Sequence, residues 1–528
     1  MNKKIPIALC IVLFSVWFLI PNVPFAQNHN NGTYGAEQQE NPKEDPASDT
    51  KHQVHGDENI DGIIQGFEQQ EEPAEGLENL LEGFEDDHPQ DDGDSGHGED
   101  DFLGGFEADD GEDKFAEKAA EEPSTWRLEG EFTSTATYNF NPDATSPWRG
   151  VTMLRQELEL ALKKKFSDNW RGQISGRGFY DFIYVLRGRD EYTPQVLGAY
   201  ESEVELEDTY IQGSLLENLD TKIGRQIVVW GTLDNLRVVD VLNPVDLRVP
   251  GLTDIDDLRL PVTMVKFDYF FGKWNLGAMA IPEIRFSKRP VFGSDFYPFP
   301  VPPPPDEMSE DSFSASNAEY AAALTGVFSG WDIGIYWANI YDDQTYAEQV
   351  SPGPPVQFVR KHARINMLGS AANLALGNWL LKAEVGWFSG LRYTNTPGDE
   401  YSRFDLGGGV EYSGFSEATI SLEAVNRHIV DYNGLLQLPP DEIRENEFQW
   451  NFRFVKNLLN DTLTLTLFAS TFGVKADDGA FERIDAEYDI TDAVSIRGGV
   501  VLYQSGDKGL FQDVGANDRL FVVFKYSF

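Results

Sequence analysis

The residues most suited to specific chemistry lie in segment 232–260, where charged side chains interrupt a sequence rich in leucine and valine. Carboxylates and guanidiniums in apolar surroundings form strong, charge-assisted hydrogen bonds. Such a segment is too apolar for a solvated loop, so we expect it to fold inward as a constriction, with its charges linked to a surrounding wall. These charges are Asp234, Arg237, Asp240, Asp246, Arg248, Asp254, Asp256 and Asp257.

Charged residues on the strands around this segment are the candidate wall partners. They occupy positions that an inward-facing alternation predicts, namely Arg171, Arg177, Glu203, Glu205, Glu207, Arg225 and Arg453. Trp230, Asn243 and Pro244 complete the candidate constriction. The charges either brace the segment or contact a solute directly, and the sequence leaves both roles open.

Catalytic chemistry has little support in the sequence. Five of the seven histidines fall before residue 123, leaving His362 and His428, and no paired serine motif accompanies them. Cys10 is the single cysteine and lies in an N-terminal apolar run. We therefore predict no enzyme activity, no cofactor and no metal centre.

The elements that position these residues are period-two strands beginning near Trp126. Apolar residues alternate with polar ones in four clear examples: Leu158 to Leu162, Trp379 to Trp387, Phe448 to Phe454, and Leu463 to Leu467. A strand sends alternate side chains to opposite faces, so each has one apolar and one polar face. This arrangement suits a lipid-facing barrel with a wet lumen, although a soluble β-sandwich shows similar alternation.

The connections between strands favour the barrel. Eight tight turns alternate with nine longer loops, near 141–150, 187–199, 232–260, 285–317, 342–358, 394–402, 431–444, 475–480 and 505–517. Four of the turns are followed immediately by tryptophan, at Trp170, Trp274, Trp331 and Trp379, which suits a membrane interface. We predict an all-β, transmembrane, antiparallel up-and-down barrel of about 18 strands (16–18) over residues 123–528.

Both chain ends indicate the outer membrane of a Gram-negative bacterium. Lys3 and Lys4 precede an apolar run that is followed by a small residue at the cleavage position. This pattern predicts a cleaved signal peptide over residues 1–26. Leu520 to Phe528 keeps apolar residues on one parity and ends in an aromatic residue, which resembles the closing strand that barrel-insertion machinery recognises. We expect outer-membrane lipid and that machinery, through Phe528, to be partners.

Residues 27–122 form an acidic arm, with 31 Asp and Glu against 4 Lys and Arg. A segment so charged and so poor in large apolar residues is predicted to be disordered, and we place it in the periplasm. Nucleic acid is excluded as a partner because the chain carries a net charge of −46.

Three copies of one motif recur in the arm, each with two apolar residues, a spacer and Gly-Phe-Glu. We interpret them as docking sites for a periplasmic carrier or a proton-driven inner-membrane exporter, although repetition within a low-complexity spacer would produce the same pattern. The docking residues are Ile63, Ile64, Phe67, Leu80, Leu81, Phe84, Phe102, Leu103 and Phe106.

About forty residues resemble a known family. The stretch from Gly224-Arg225-Gln226 to Trp230-Gly231 continues through Asn243-Pro244-Val245-Asp246 to Leu260-Pro261. It resembles a family of bacterial outer-membrane barrels known mainly as a domain of unknown function. The resemblance implies a barrel found beside transport systems for hydrophobic compounds such as lipids; the acidic arm is not part of it.

Together these observations predict an outer-membrane channel for hydrophobic or amphipathic, lipid-like cargo. Segment 232–260 would gate it, and the arm would couple it to a transport partner. Two alternatives remain open: a passive general-diffusion porin, and a structural barrel that sheaths a partner without transport of its own. A second unusual loop, 285–317, combines aromatic residues with the run Pro302 to Pro305 and is a candidate cap for the barrel mouth.

Overall fold

The structure is a computed structural model that describes residues 126–253, 255–299, 301–305, 313–351, 353, 357–508 and 511–528. The predicted signal peptide, the acidic arm and its three repeats lie outside these residues and stay predictions. So does the boundary between arm and barrel at residue 122. Asp254 is likewise outside the described residues, as is the side chain of Asp256.

The described chain forms eighteen β-strands, as the alternation predicts. In chain order, β1 to β9 are Trp126–Asn139, Gly150–Ser167, Trp170–Asp181, Ser202–Leu216, Leu219–Gln226, Val262–Phe271, Trp274–Ile281, Glu319–Phe328 and Trp331–Ser351. β10 to β18 are Gln357–Leu376, Trp379–Leu391, Tyr401–Phe415, Ala418–Val430, Asn446–Leu458, Leu463–Phe472, Gly479–Thr491, Val494–Gln504 and Arg519–Ser527.

These strands close into one barrel. Each pairs antiparallel with its sequence neighbours, and β1 pairs with both β2 and β18. Closure leaves no sheet edge with unpaired backbone groups, which is the condition a spanning sheet must meet. Trp126 lies opposite Lys164, beside the tight turn between β2 and β3, so the chain enters the barrel at the end that carries the tight turns. The predicted fold class is confirmed.

The outer surface is apolar. Leu158, Leu160 and Leu162 on β2 are exposed, and so are Leu520, Val522 and Phe528 at the carboxyl end. The four predicted tryptophans each begin a strand directly after a tight turn, in β3, β7, β9 and β11. A continuous apolar exterior with tryptophan at one rim is the pattern of a barrel in lipid.

Two predicted loops differ from the structure. The connection predicted near 342–358 is mostly strand, because β9 runs to Ser351 and β10 begins at Gln357. Aromatic and β-branched residues such as Tyr346 and Val359 sustain the ladder there. The connection between β3 and β4, predicted as a loop near 187–199, contains two short helices, α1 (Ile183–Arg187) and α2 (Pro194–Tyr200). The Thr193 hydroxyl caps α2 by accepting from Val196 N–H.

No helix in the described part of the chain is long and apolar enough to cross a membrane. The third short helix, α3 (Ile255–Leu258), lies in the connection between β5 and β6.

Candidate functional site: a segment folded across the barrel lumen

Residues 227–261, which we call the lumen segment, connect β5 to β6 and pack inside the barrel. Val228, Trp230 and Leu233 are buried, as are Leu236, Val238, Val239 and Leu242. Their side chains form one apolar cluster with the inner faces of β6 to β13. Burial of this surface is favourable by about 25 cal/mol per Å² of apolar area, so the segment is held against that half of the wall.

Glycines in the wall make room for this packing. A Cβ added at Gly407 would approach Leu233 Cδ1 to 2.8 Å, and one at Gly369 would approach Val239 Cγ1 to 2.5 Å. Both distances are shorter than side chains tolerate. Glycine inside a strand marks close approach of another chain segment, and here that segment is the lumen segment.

Glu384 on β11 anchors the lumen segment through its backbone. Its Oε1 accepts hydrogen bonds from the N–H groups of Thr232 (2.5 Å) and Leu233 (2.8 Å), and its Oε2 accepts one from Val239 (3.3 Å). The carboxylate is buried. Gly231 has φ +94°, and a Cβ there would lie 2.3 Å from Glu384 Oε1, so only glycine allows this approach.

Glu423 on β13 forms a second anchor of the same kind. Its two oxygens accept from Asp234 N–H (2.7 Å) and Asn235 N–H (2.9 Å). Asn451 on β14 donates to the Asn235 carbonyl at 2.9 Å. The segment therefore leaves the wall at β5 and is hydrogen-bonded to residues of β11, β13 and β14 across the lumen. Hydrogen bonds to a charged carboxylate contribute about 1.5–3 kcal/mol each.

The predicted charges inside the segment mainly bind one another. Asp240 receives Arg259 Nε at 3.0 Å and Arg237 Nε at 3.1 Å. Asn243 accepts from Val228 N–H at 2.8 Å and donates to the Leu260 carbonyl at 2.9 Å. These contacts fix the shape of the segment between its two ends.

The second half of the segment turns back to β4. Asp246 pairs with Arg248 (2.5 Å), which also pairs with Glu203 (2.8 Å); Lys288 binds Glu203 at 2.5 Å. Burial raises the pKa of the Asp246 carboxyl, but the hydrogen bond and charge of Arg248 outweigh it, and the pKa lies below its ordinary value. Burial lowers the pKa of Lys288 despite its bond to Glu203.

The remaining predicted wall residues belong to two different environments. Arg225 pairs with Glu283 (2.9 Å) and Glu205 (3.4 Å), and Arg177 pairs with Glu207 (3.3 Å), which places both in the network beside the segment. Other residues make their described contacts elsewhere: Arg171 faces the Gln212 amide, and Arg453 lies on β14 opposite Ser421 and Phe468.

The end of the segment reaches a third wall region. Tyr503 on β17 donates to the Pro250 carbonyl at 2.6 Å, and Arg483 on β16 donates to the Gly251 carbonyl at 3.4 Å. Lys382 on β11 pairs with Asp234 at 2.5 Å near the tight-turn end. The lumen segment therefore contacts the wall in β4, β6 to β14, β16 and β17.

A cavity of about 430 Å³ remains between the lumen segment and the wall of β1 to β4, β17 and β18. Its lining is both charged and apolar. Carboxylates such as Glu131 and Glu157 alternate with cations such as Arg155, while Met153 and Phe521 contribute apolar surface.

The predicted mouth loop, residues 285–317, lies in the connection between β7 and β8 and also crosses to the far side. Phe296 is buried against β17 and β18, where its neighbours include Val501, Tyr503 and Phe521. Asp295 pairs with Arg519 of β18 at 2.9 Å. The loop thus lies over the long-loop end of the barrel, and the Pro305 carbonyl accepts from Arg360 N–H on β10 at 3.0 Å.

Sequence reasoning missed Glu384 and Glu423 as anchors. The ring centroid of Trp230 lies 5.0 Å from that of Tyr336, and the Pro244 carbonyl accepts from Leu260 N–H at 2.7 Å. In the sequence, the run Gly407 to Gly409 within an otherwise regular strand was the signal that another chain segment approaches the wall there. In the described residues, no group of three or more His, Cys, Asp or Glu side chains could hold a metal ion.

The fold and the lumen segment define the class of protein: a closed eighteen-stranded barrel with an internally folded connection. The chain belongs to the DUF1302 family of proteins of unknown function, whose profile matches residues 137–528. This confirms the family that the Gly-Arg-Gln to Asn-Pro-Val-Asp stretch indicated. Comparison with curated protein sequences gives no match.

Several solved structures are similar to this chain over 76% of its length. OccK9 (OpdG) of Pseudomonas aeruginosa is 12% identical, with a TM-score of 0.46 over 98% of that chain. OccAB3 of Acinetobacter baumannii is 10% identical, with a TM-score of 0.45 over 99% of that chain. A BenF-like porin from Pseudomonas fluorescens Pf-5 is 13% identical, with a TM-score of 0.44 over 98% of that chain.

Proposed function

We propose that this protein is an outer-membrane channel for amphipathic cargo that the lumen segment closes at rest. The observation that carries the proposal is the double anchor, in which Glu384 and Glu423 hold the segment across the lumen from the strands opposite its origin. A closed antiparallel barrel with an apolar exterior supports the outer-membrane location.

The cavity beside the segment supports amphipathic cargo over a purely hydrophobic one. A cargo without polar groups would desolvate carboxylates and guanidiniums along its path, which is costly. A cargo with a charged or polar head and an apolar body matches a lining that contains Glu157, Arg155, Met153 and Phe521.

Opening requires release of the anchors, because Glu384 and Glu423 tie the backbone of the segment to β11 and β13. Removing residues 233–252 deletes all the anchored residues except Thr232, together with Leu233, Leu236, Val238, Val239 and Leu242 of the apolar cluster. We expect the intact protein to show low conductance in planar bilayers and the deletion variant to show high conductance. High conductance in the intact protein would contradict the closed state.

A general-diffusion porin is the second candidate, and the 430 Å³ cavity favours it. A porin would use this cavity as a permanent passage beside a static lumen segment. Small sugars would then enter liposomes carrying the intact protein, and deletion of residues 233–252 would change the rate only in proportion to the added cross-section.

We further propose that the acidic arm couples the channel to an energy source. The outer membrane holds no ion gradient, so directional transport needs a carrier or an inner-membrane exporter. The three Gly-Phe-Glu repeats supply tandem anchors whose avidity exceeds that of any single copy. Their aromatic residues are Phe67, Phe84 and Phe106.

A further inference from the structure

The first five residues of the mouth loop, 285–289, join the barrel wall to the lumen segment, and we call them the latch. At the wall, Ser287 N–H donates to Asp343 Oδ1 on β9 at 2.7 Å. The other oxygen of the same carboxylate pairs with Arg289 at 3.0 Å. Asp343 therefore binds the backbone of the latch and one of its side chains together.

This wall contact lies at the long-loop end of the barrel. Asp343 comes twelve residues after Trp331, with which β9 begins at the tight-turn rim. A tilted strand crosses the hydrocarbon core in about 9–11 residues, so Asp343 lies beyond it. Phe286 of the latch stacks on His362 of β10, with ring centroids 3.3 Å apart. The latch is thus fixed to the outer part of the β9–β10 hairpin.

The other side of the latch pairs with the lumen segment. Lys288 N–H donates to the Val245 carbonyl at 2.9 Å, and Leu247 N–H donates to the Lys288 carbonyl at 2.8 Å. Val245 N–H donates to the Ser287 hydroxyl at 2.9 Å. The latch and the lumen segment therefore form a short parallel strand pair inside the barrel, and Ser287 bonds to both the wall and the lumen segment.

The part of the lumen segment that the latch holds also borders the cavity. None of residues 232–239, all of which the structure describes, lines the cavity, although Glu384 and Glu423 bind this stretch. The lining residues between positions 245 and 252 are Asp246, Arg248, Val249 and Leu252. The position of residues 245–252 therefore sets the width of the cavity.

We propose that Asp343 is a positioning residue that holds residues 245–252 through Ser287 and so limits the width of the cavity from the outer end of the barrel. This control is separate from the Glu384 and Glu423 anchors, which hold residues 232–239. The proposal deepens the proposed function and rests on it in one respect, namely that cargo passes through the cavity.

Two buried valines serve as probes of the two parts of the lumen segment in the full chain. Val245 adjoins the latch, and Val239 lies in the anchored stretch. Each is changed to cysteine separately, and Cys10, the only native cysteine, is replaced by serine. The measurement is the rate at which a small charged methanethiosulfonate reagent modifies each cysteine.

Each probe is combined with one of three further substitutions. Asp343→Asn weakens the wall end of the latch, and Ser287→Ala removes the hydroxyl that accepts from the lumen segment. Glu348→Gln is the matched control, because this β9 carboxylate pairs with Lys361 of the same hairpin at 2.9 Å. The control removes a carboxylate charge from the hairpin without changing a residue of the latch contact.

We expect Asp343→Asn to raise the modification rate at position 245 about tenfold, since a charged acceptor is lost. Ser287→Ala should raise it less, and both should leave position 239 unchanged. The control should change neither rate. No rise at position 245, or an equal rise at both positions, would overturn the proposal. If Asp343→Asn loses heat-modifiable migration on a gel, Ser287→Ala decides the outcome alone.

Conductance in planar bilayers separates this proposal from the proposed function. Asp343→Asn should raise the low conductance of the intact protein, because the cavity widens while the anchors stay in place. A rise in modification at position 245 with unchanged conductance would support the latch but contradict the cavity as the path. Low conductance in the parent together with unchanged modification at position 245 would overturn the latch and leave the closed channel standing.

Discussion

The backbone N–H of Leu233 donates to Glu384 Oε1 at 2.8 Å, which joins the connection between β5 and β6 to a strand six positions further around the barrel. Thr232 and Val239 donate to the same carboxylate. A buried carboxylate that accepts from three backbone amides fixes the position of the loop against the wall. This contact is the basis on which we infer a closed lumen.

Replacing Glu384 and Glu423 with glutamine should loosen the lumen segment. Glutamine keeps one acceptor oxygen but loses the negative charge, so we expect a cost of about 2 kcal/mol, or about a thirtyfold rise in the released population. The rate of limited trypsin cleavage after Arg237 and Arg248, which lie within the segment, measures this released population. The control Glu487→Gln changes a lumen carboxylate that contacts Ser495, and its digestion rate should equal that of the parent.

Gly231→Ala should displace the first anchor. The added Cβ would lie 2.3 Å from Glu384 Oε1, and the backbone has φ +94°. Gly272→Ala is a matched control, because this turn glycine has φ +64° but nothing within 4 Å of an added Cβ. Both variants carry a left-handed backbone cost of about 1–3 kcal/mol. Faster digestion at Arg237 in Gly231→Ala alone would isolate the steric effect; equal rates in both would contradict it.

The Asp246–Arg248 pair should make the segment acid-sensitive. The folded-state pKa of Asp246 lies below its ordinary value, so the pair contributes stability above the unfolded pKa, near 4, and loses it as pH falls through the lower folded value. Trypsin is inactive at that pH, so the measurement is the rate at which pepsin cleaves the lumen segment. Asp246→Asn should already be cleaved faster at pH 5, where the parent is still protected; identical pH profiles would exclude this role.

The arm repeats should act together in partner capture. Changing Phe67, Phe84 and Phe106 to serine preserves the net charge of the arm while removing its aromatic anchors. We expect recovery of periplasmic and inner-membrane partners to fall with each copy lost, because avidity depends on the number of sites. If the triple variant recovers as much of these partners as the parent protein does, the repeats are not docking sites and the arm is only a spacer.

The barrel could be predicted from sequence because its signals are local. Alternating strands such as Leu158 to Leu162, tight turns and the following tryptophans each depend on a few adjacent residues. The inward fold of residues 232–260 followed from their unusual apolar content. The sequence predicted β9 and β10 to be shorter than they are. The outer part of this hairpin is polar, and its local sequence does not distinguish it from a polar loop.

The anchors could not be singled out in the same way. Glu384 and Glu423 occupy ordinary inward positions, and such positions recur at every second residue of eighteen strands. Which of these carboxylates meets the lumen segment depends on the path of a chain that starts six strands away. Gly407 and Gly409 mark where a segment approaches the wall, but not which segment.

The most direct test asks whether movement of the lumen segment changes conductance. Asn451 donates to the Asn235 carbonyl at 2.9 Å, so cysteines at positions 235 and 451 can be bridged by a short bifunctional thiol reagent. They are introduced into the Glu384→Gln, Glu423→Gln protein, and single channels are recorded in planar bilayers before and after bridging. We predict high conductance before bridging and low conductance after it. Equal conductance in the two states would contradict a lumen closed by this segment.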